Sequence, residues 1–442
     1  MTTTAPPPAR PTAIPGPPGH PLLGMANELR RDLLGTMLDG YRQYGDLVTY
    51  RIGPGWKWLG PPAVAVYHPD GVRQVLTNPQ VFNRRTAGFE TLTEMFGEGL
   101  LTSDGDLWKR QRRTLQPLFT PQRVAGYTDL MTAEAQRLAR STEADTVVDL
   151  HELMQVYALR VVGRALFSDE VDDVATELQR LVPLASDLSI ARSMQIVRLP
   201  LAAPTVRNLR FTRASAALYA IMDRILARLA DRVDTDNDDL LSRLRTARDP
   251  ETGQPLSPQE IRDQALVFLL AGHETTAGAL TFTLHLLGHH PDIQDRVAAG
   301  GPDLVRAALL EGMRLYPPAH STERRAAVDT EILGRPIPAG SPVLVSPWVT
   351  HRRPDFWPDP ERFDPDRFLG ERDRQRPRYT YFPFGGGPRS CIGEHFALLE
   401  ATVLLSTVLA RYRVESLDPQ PRVTPLITLR PAAPVRAVLH AR

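Results

Sequence analysis

The chain of 442 residues contains a single cysteine, Cys391. No intrachain disulfide can form from it, which excludes the disulfide-stapled secreted scaffolds and points to a reducing cytoplasm. An excess of charge of either sign is also missing. Fifty-two Lys and Arg stand against 51 Asp and Glu, a formal net charge of +1. That balance favours neither nucleic acid nor an anionic membrane over the whole surface, so any basic site must be local. No uninterrupted apolar run approaches the ~20 residues that a helix needs to cross a bilayer, and the run over 265–271 is far shorter. The proline-rich opening over 1–24 lacks the basic segment and apolar centre of a secretory signal and reads as a lead-in. Repeats at solenoid spacing and low-complexity linkers are absent. The expectation is a soluble, cytoplasmic protein in which 25–442 form one domain.

What is present is ordinary globular material, 42% hydrophobic and 23% charged, enough for a large core. Short β-rich runs occur at 47–52, 63–67 and 343–349, and most of the remainder has helical spacing of apolar residues. A mainly α protein with small sheets follows. The best-marked helix opens at Ser257, with Pro258 in the first turn and Glu260 completing a capping box, and runs to His290 before Pro291. At 1.5 Å per residue it is roughly 50 Å long and should cross the core. In its middle stands Ala271-Gly272-His273-Glu274-Thr275-Thr276, where the glycine is expected to loosen the helix and a carboxylate sits in apolar surroundings. Such departures from local helix logic mark functional sites.

Around the cysteine the sequence reads Phe384-Gly385-Gly386-Gly387-Pro388-Arg389-Ser390-Cys391-Ile392-Gly393 and turns helical near Glu394. The glycines permit a tight loop, and a helix start with Arg389 nearby favours the thiolate. Most free cysteines are small buried hydrophobes. This one stands in a loop built to bring backbone donors to a sulfur.

Phe384, Gly387, Arg389, Cys391 and Gly393 occupy the cysteine-loop signature of the cytochrome P450 family, which the chain resembles from its Pro-Gly-Pro-Pro-Gly opening to Leu429-Arg430-Pro431. The resemblance implies the α-rich triangular-prism fold around haem b, with Cys391 as axial iron ligand, Phe384 and Gly393 beside it, and a monooxygenase reaction. One oxygen atom of dioxygen enters a C–H or C=C bond of a lipophilic substrate and the other becomes water. Glu311 and Arg314 match the family's Glu-x-x-Arg helix, with Arg367 as the downstream partner and Arg362 as its rival. By themselves, residues three apart on a helix would be an ordinary surface pair. Arg112 with Trp108, Arg324 and Arg389 match positions that hold haem propionates. Glu274 and Thr275 resemble the acid and alcohol of the oxygen-binding groove, where two protons are consumed; the alternative for Thr275 is a hydroxyl bonded back to its own helix. His273 is rejected as a metal ligand because no His-Glu-x-x-His spacing exists.

For the substrate pocket the resemblance points to Phe89, Leu92, Ala271, Ala319, Ser321, Leu426 and Ile427, with residues 181–208 as a lid. Electrons must come from a separate ferredoxin and ferredoxin reductase using NAD(P)H, docking near Lys109, Arg110 and Arg113. The expected assembly is a monomer, and the expected substrate a terpenoid or polyketide of secondary metabolism. A fatty acid hydroxylase is the alternative within the family. A haem-thiolate sensor and a thiol-dependent hydrolase are the alternatives outside it.

Overall fold

The structure, a computed structural model, describes residues 13–53, 61–168, 175–195, 198–230 and 239–442. Residues 1–12 of the expected lead-in and 196–197 of the expected lid lie outside the described residues. The chain groups into two compact units. The smaller takes the chain to Thr86, with Ser321–Trp357 and Pro377–Ser390; the larger takes Ala87–His320, Pro358–Arg376 and Cys391–Arg442.

The smaller unit is built on a five-stranded sheet of β1 (Leu47–Tyr50), β2 (Ala63–Val66), β3 (Phe82–Asn83), β4 (Thr322–Ala326) and β5 (Pro342–Val345), in the order β1-β2-β5-β4-β3. The β2–β5 pair is parallel and the others antiparallel. The three β-rich runs fall on β1, β2 and β5. The last ends at Val345 because Ser346 caps a short helix opening at Pro347. Alternation sorts the side chains: Val64, Val66, Val343 and Val345 bury against Val72, Val75 and Leu76 of helix α1 (Pro69–Thr77), while Ala65 joins Tyr67, Met37 and Val349.

The larger unit is helical. Among its helices are α2 (Ala87–Phe96), α3 (Gly105–Leu115), α4 (Leu150–Phe167), α5 (Ala175–Ser193), α6 (Val206–Ala230), α7 (Pro258–His289), α8 (Gly301–Leu315) and α9 (Glu394–Arg411), and small antiparallel sheets accompany them. The capping box of α7 is formed: Glu260 N donates to Ser257 Oγ at 3.2 Å and Ser257 N to Glu260 Oε2 at 2.9 Å. By length and hydropathy α7 would suit a membrane span, yet 83% of its apolar window is buried. It is the core helix, sharing a cluster with Leu159, Val162 and Leu166 of α4 and with Leu218 and Ile221 of α6.

Gly272 does not loosen α7, contrary to expectation, for the helix runs unbroken through it. A Cβ there would stand 2.8 Å from Val162 Cγ2, so the glycine admits the close approach of α4. The local cost of a helical glycine is offset by packing between two helices.

Candidate active site

The cysteine loop enters from the smaller unit. His351, wholly buried, accepts the Phe382 N–H on Nε2 at 3.0 Å and stacks on Tyr381 at 5.0 Å, fixing the chain just before the glycines. Gly385 and Gly387 take φ of +73° and +66°, a region costly for other residues. At Gly387 a Cβ would stand 2.3 Å from Leu76 O at the end of α1. The loop therefore lies directly on that helix terminus. Phe384 is half-buried, and Arg389 is 9% exposed. Arg324, in β4, is 4% exposed and donates to Thr322 Oγ1 at 2.9 Å and Glu323 O at 2.8 Å.

Cys391 and Gly393 belong to the larger unit, with Gly393 at the start of α9. The cysteine is exposed to a solvent-sized probe. Protein nonetheless surrounds it so closely that burial pushes its thiol up to about 11, against the Gly393 N–H and the Arg112 guanidinium, which favour the thiolate. A group both accessible and enclosed lines an internal space. The expected thiolate preference at the helix start is thus outweighed by burial, and the cation that counters it is Arg112. A bound metal ion reverses this order, because a coordinating thiol is deprotonated outright.

Arg112 lies on α3 one turn after Trp108, which is 8% exposed. Burial lowers the pKa of the Arg112 guanidinium, so an anion beside it is electrostatically welcome. The neighbouring cations are already matched. Lys109 pairs with Asp106 at 2.9 Å, Arg110 with Glu260, and Arg113 with Asp249 at 3.0 Å and Glu251 at 3.1 Å. The sequence shows these as a cluster of positive charge; folding brings acids from 249–260 to Arg110 and Arg113, while Lys109 pairs within its own helix.

From Asp263 to His285 every residue of α7 is buried except Ala271, Gly272 and Thr275. The Thr275 hydroxyl donates to Ala271 O at 2.6 Å, the back-bonded arrangement that sequence left as an alternative. Glu274, only 2% exposed, has its pKa raised by burial, partly offset by Arg430, Thr428 and Ser186. Thr428 Oγ1 donates to Oε2 at 3.0 Å and Ser186 Oγ to Oε1 at 3.3 Å, while Arg430 Nη1 stands 3.9 Å from Oε1. Arg430 also pairs with Asp187, which reaches the surface. A buried acid is thereby joined through one guanidinium to a solvated carboxylate.

His273 is 1% exposed, and burial pushes its imidazole down to about 4. Among the described residues no group of three or more metal-ligating side chains occurs. Glu400 on α9 was not anticipated. It is 1% exposed, no well-formed hydrogen bond reaches either carboxyl oxygen, and burial, offset only in part by Thr276, raises its pKa well above the usual range.

Glu311 and Arg314 form a fully buried two-point pair on α8, Nε to Oε2 at 2.7 Å and Nη2 to Oε1 at 2.8 Å. Arg367 brings Nε to 3.4 Å from Glu311 Oε1. The rival Arg362 turns its side chain outward and offers only its carbonyl, to Arg314 Nη2 at 3.1 Å.

Of the pocket candidates in the larger unit, Ala271 and Ala319 are exposed, and Phe89, Leu92, Leu426 and Ile427 are half-buried. His320 Nε2 meets Leu426 O at 3.0 Å and fixes that turn. Ser321 is half-buried in the smaller unit.

A cytochrome P450 family profile matches residues 14–299 and 303–436. The chain is 36% identical over 426 residues to cyclooctat-9-en-7-ol 5-monooxygenase of Streptomyces melanosporofaciens, covering 92% of this chain and 91% of that protein. It is 34% identical to pentalenene oxygenase of Streptomyces avermitilis, with 92% of each chain covered. Among solved structures, the cytochrome P450DA heme domain superposes with a TM-score of 0.86 at 26% identity, covering 98% of each chain. The cysteine loop, the core helix with its buried acid and the α-rich fold agree with these likenesses, and the chain belongs to the cytochrome P450 family of monooxygenases.

Proposed function

We propose that the chain oxygenates a cyclic terpenoid, with Cys391 as the residue whose thiolate would hold the iron of haem b. The observation that carries the reading is a pair of accessible points: the accessible, enclosed sulfur of Cys391, and the exposed Ala271 with half-buried Thr275 one turn on, in a helix otherwise buried from Asp263 to His285 but for Gly272. The residues present fit the group. One sulfur ligand suffices for an iron already held by a porphyrin, and the cations suit its carboxylates. When bound, haem supplies the iron that activates dioxygen. Cys391 would hold that iron through its thiolate sulfur and donate electron density to it. Arg112 and the Trp108 indole N–H are assigned to a propionate in the larger unit, and Arg324 and Arg389 to the same role in the smaller.

Thr275 holds its proton on Oγ1 at the open face of α7, and Glu274 relays protons inward from solvent, which reaches it beside Arg430 and Asp187. The apolar and small side chains at 89, 92, 271, 319, 426 and 427 exclude water from the reacting carbon. The terpenoid class is supported by the names of the relatives, which specify cyclooctat-9-en-7-ol and pentalenene. Electrons are assigned to an external ferredoxin and an NAD(P)H-dependent reductase.

The test is optical. The reduced carbonyl complex of the purified chain should show the Soret band of a sulfur-ligated iron, and Cys391→Ala should abolish it. Cyclic terpenes should then shift the iron spin state where long-chain fatty acids do not. A shift with fatty acids alone would move the substrate reading to the fatty acid alternative.

A further inference from the structure

We infer that His320 is a positioning residue that sets substrate fit and proton supply together, because the hairpin it holds carries both a wall of the pocket and two partners of Glu274. The inference deepens the proposed function and rests on its placing Leu426 and Ile427 against the substrate.

The hairpin pairs Val423–Pro425 antiparallel with Leu429–Pro431. Leu426, Ile427 and Thr428 close it, and Leu426 N donates to Thr428 O at 3.1 Å. Two half-buried apolar side chains are thus followed at once by the hydroxyl that reaches Glu274 Oε2 at 3.0 Å, and two residues later by Arg430. So short a turn has no slack, and a displacement at 426 is passed to 428. The segment after α8 grips it twice. Leu429 N donates to Pro318 O at 2.8 Å, and His320 Nε2 donates to Leu426 O at 3.0 Å. On the other side Leu429 O lies on α7, where a Cβ at Gly278 would stand 3.3 Å from it. His320 is 3% exposed, and burial lowers its pKa, so the ring is neutral and its one N–H is committed to the turn.

A guest that presses on Leu426 and Ile427 seats Thr428 and Arg430 on Glu274. Both of these partners lower the pKa of Glu274, so a seated hairpin favours the carboxylate. Linkage is reciprocal, and the carboxylate must then favour the guest. Guest affinity therefore rises with pH through the range in which Glu274 ionises. The other titratable groups facing this site do not imitate the effect. Asp187 on α5 is a surface acid paired with Arg430, and the imidazoles of His151 and His273, pushed down to about 4 by burial, are neutral above that.

The test is a spin-state titration of the haem-loaded full chain between about pH 5 and 8, with a tricyclic sesquiterpene hydrocarbon and with 1-tetradecanol, neither of which titrates. The probe that shifts the wild-type spectrum should bind about fivefold or more tightly at the upper end of the range than at the lower. A shift with tetradecanol alone sinks the terpenoid reading and leaves this comparison to be made with that probe. Glu274→Gln should abolish the pH dependence. His320→Leu should abolish it as well and raise the peroxide released per NAD(P)H several-fold, whereas His320→Gln, which keeps a donor for the Leu426 carbonyl, retains wild-type behaviour in both. Should His320→Leu fail to take up haem, Thr428→Val is expected to weaken the pH dependence in its place. Affinity independent of pH in the wild type, a dependence that survives in Glu274→Gln or in His320→Leu, or equal losses in the leucine and glutamine variants would each overturn the inference.

Discussion

Thr275 Oγ1 donates to the Ala271 carbonyl at 2.6 Å, one helical turn back on α7. The hydroxyl is thus held at the open face of a closed helix by a bond that costs the backbone ladder little. A side chain so placed can turn to a guest without any helix motion. Thr275→Ala is expected to lower product formed per NAD(P)H oxidised by several-fold and to release the balance as peroxide, while Thr275→Ser retains most of the coupling. Equal coupling in all three proteins, measured as product against peroxide, would remove Thr275 from the proton path.

Arg430 lowers the pKa of Glu274 against a larger upward push from burial. Removing the guanidinium leaves the upward push opposed only by the Thr428 and Ser186 hydrogen bonds, so the carboxyl must ionise at higher pH. Arg430→Leu should shift the acidic limb of the pH profile for coupled turnover upward, and Glu274→Gln should erase that limb. A limb unmoved by Arg430→Leu would show that Glu274 does not set it.

Glu400 is protonated in the folded chain over a range in which the unfolded chain has released its proton. A folded pKa above the unfolded one gives stability that is complete below about 4.5 and is lost as pH rises, by about 1.4 kcal/mol per pH unit until the buried group ionises. Glu400→Gln should therefore flatten this descent in denaturant titrations of the haem-loaded protein between pH 5 and 7. A wild-type slope that persists in the variant would assign it to other groups.

The Glu311–Arg314 pair is buried completely, so truncating one partner strands the other. Arg314→Met should cost about 3–5 kcal/mol in urea unfolding, whereas Arg362→Ala, whose side chain is exposed, should stay within about 0.5 kcal/mol. Arg367→Ala is expected to resemble the first of these more than the second. Similar losses at 362 and 367 would mean that the side chain at 3.4 Å from Glu311 is not the one that matters.

Lys109 pairs with a surface acid alone, whereas Arg110 holds the half-buried Glu260 and Arg113 holds the buried Asp249 as well as the exposed Glu251. Lys109→Glu should slow reduction by an acidic ferredoxin several-fold at low ionic strength, with the difference vanishing at high salt. Stopped-flow rates equal at both salt concentrations would exclude this face.

What could be read from the chain beforehand was whatever is encoded over a few residues. The start of α7 is a local pattern of Ser257, Pro258 and Glu260, and the cysteine loop is a run of glycines with a helix start behind it. The partners of Glu274 are different in kind. Ser186 and Thr428 stand 88 and 154 residues away, and no spacing rule connects them to α7. The acids that meet Arg110 and Arg113 were hidden for the same reason, because Asp249, Glu251 and Glu260 arrive from another segment. Gly272 was misread because its justification is Val162, on a different helix. Glu400 did leave a trace, a lone acid within the apolar run 396–405 of α9; burial of that kind invites attention even without a motif.

The acid of α7 also draws its companions from both ends of the fold, Ser186 and Asp187 well before it and Thr428 and Arg430 near the last residues of the chain. During synthesis, its electrostatic surroundings are completed only once Thr428 and Arg430 have emerged. A chain trimmed just ahead of position 428 would keep every residue of the cysteine loop and the core helix, and so could take up pigment, yet would lack a working conduit for protons.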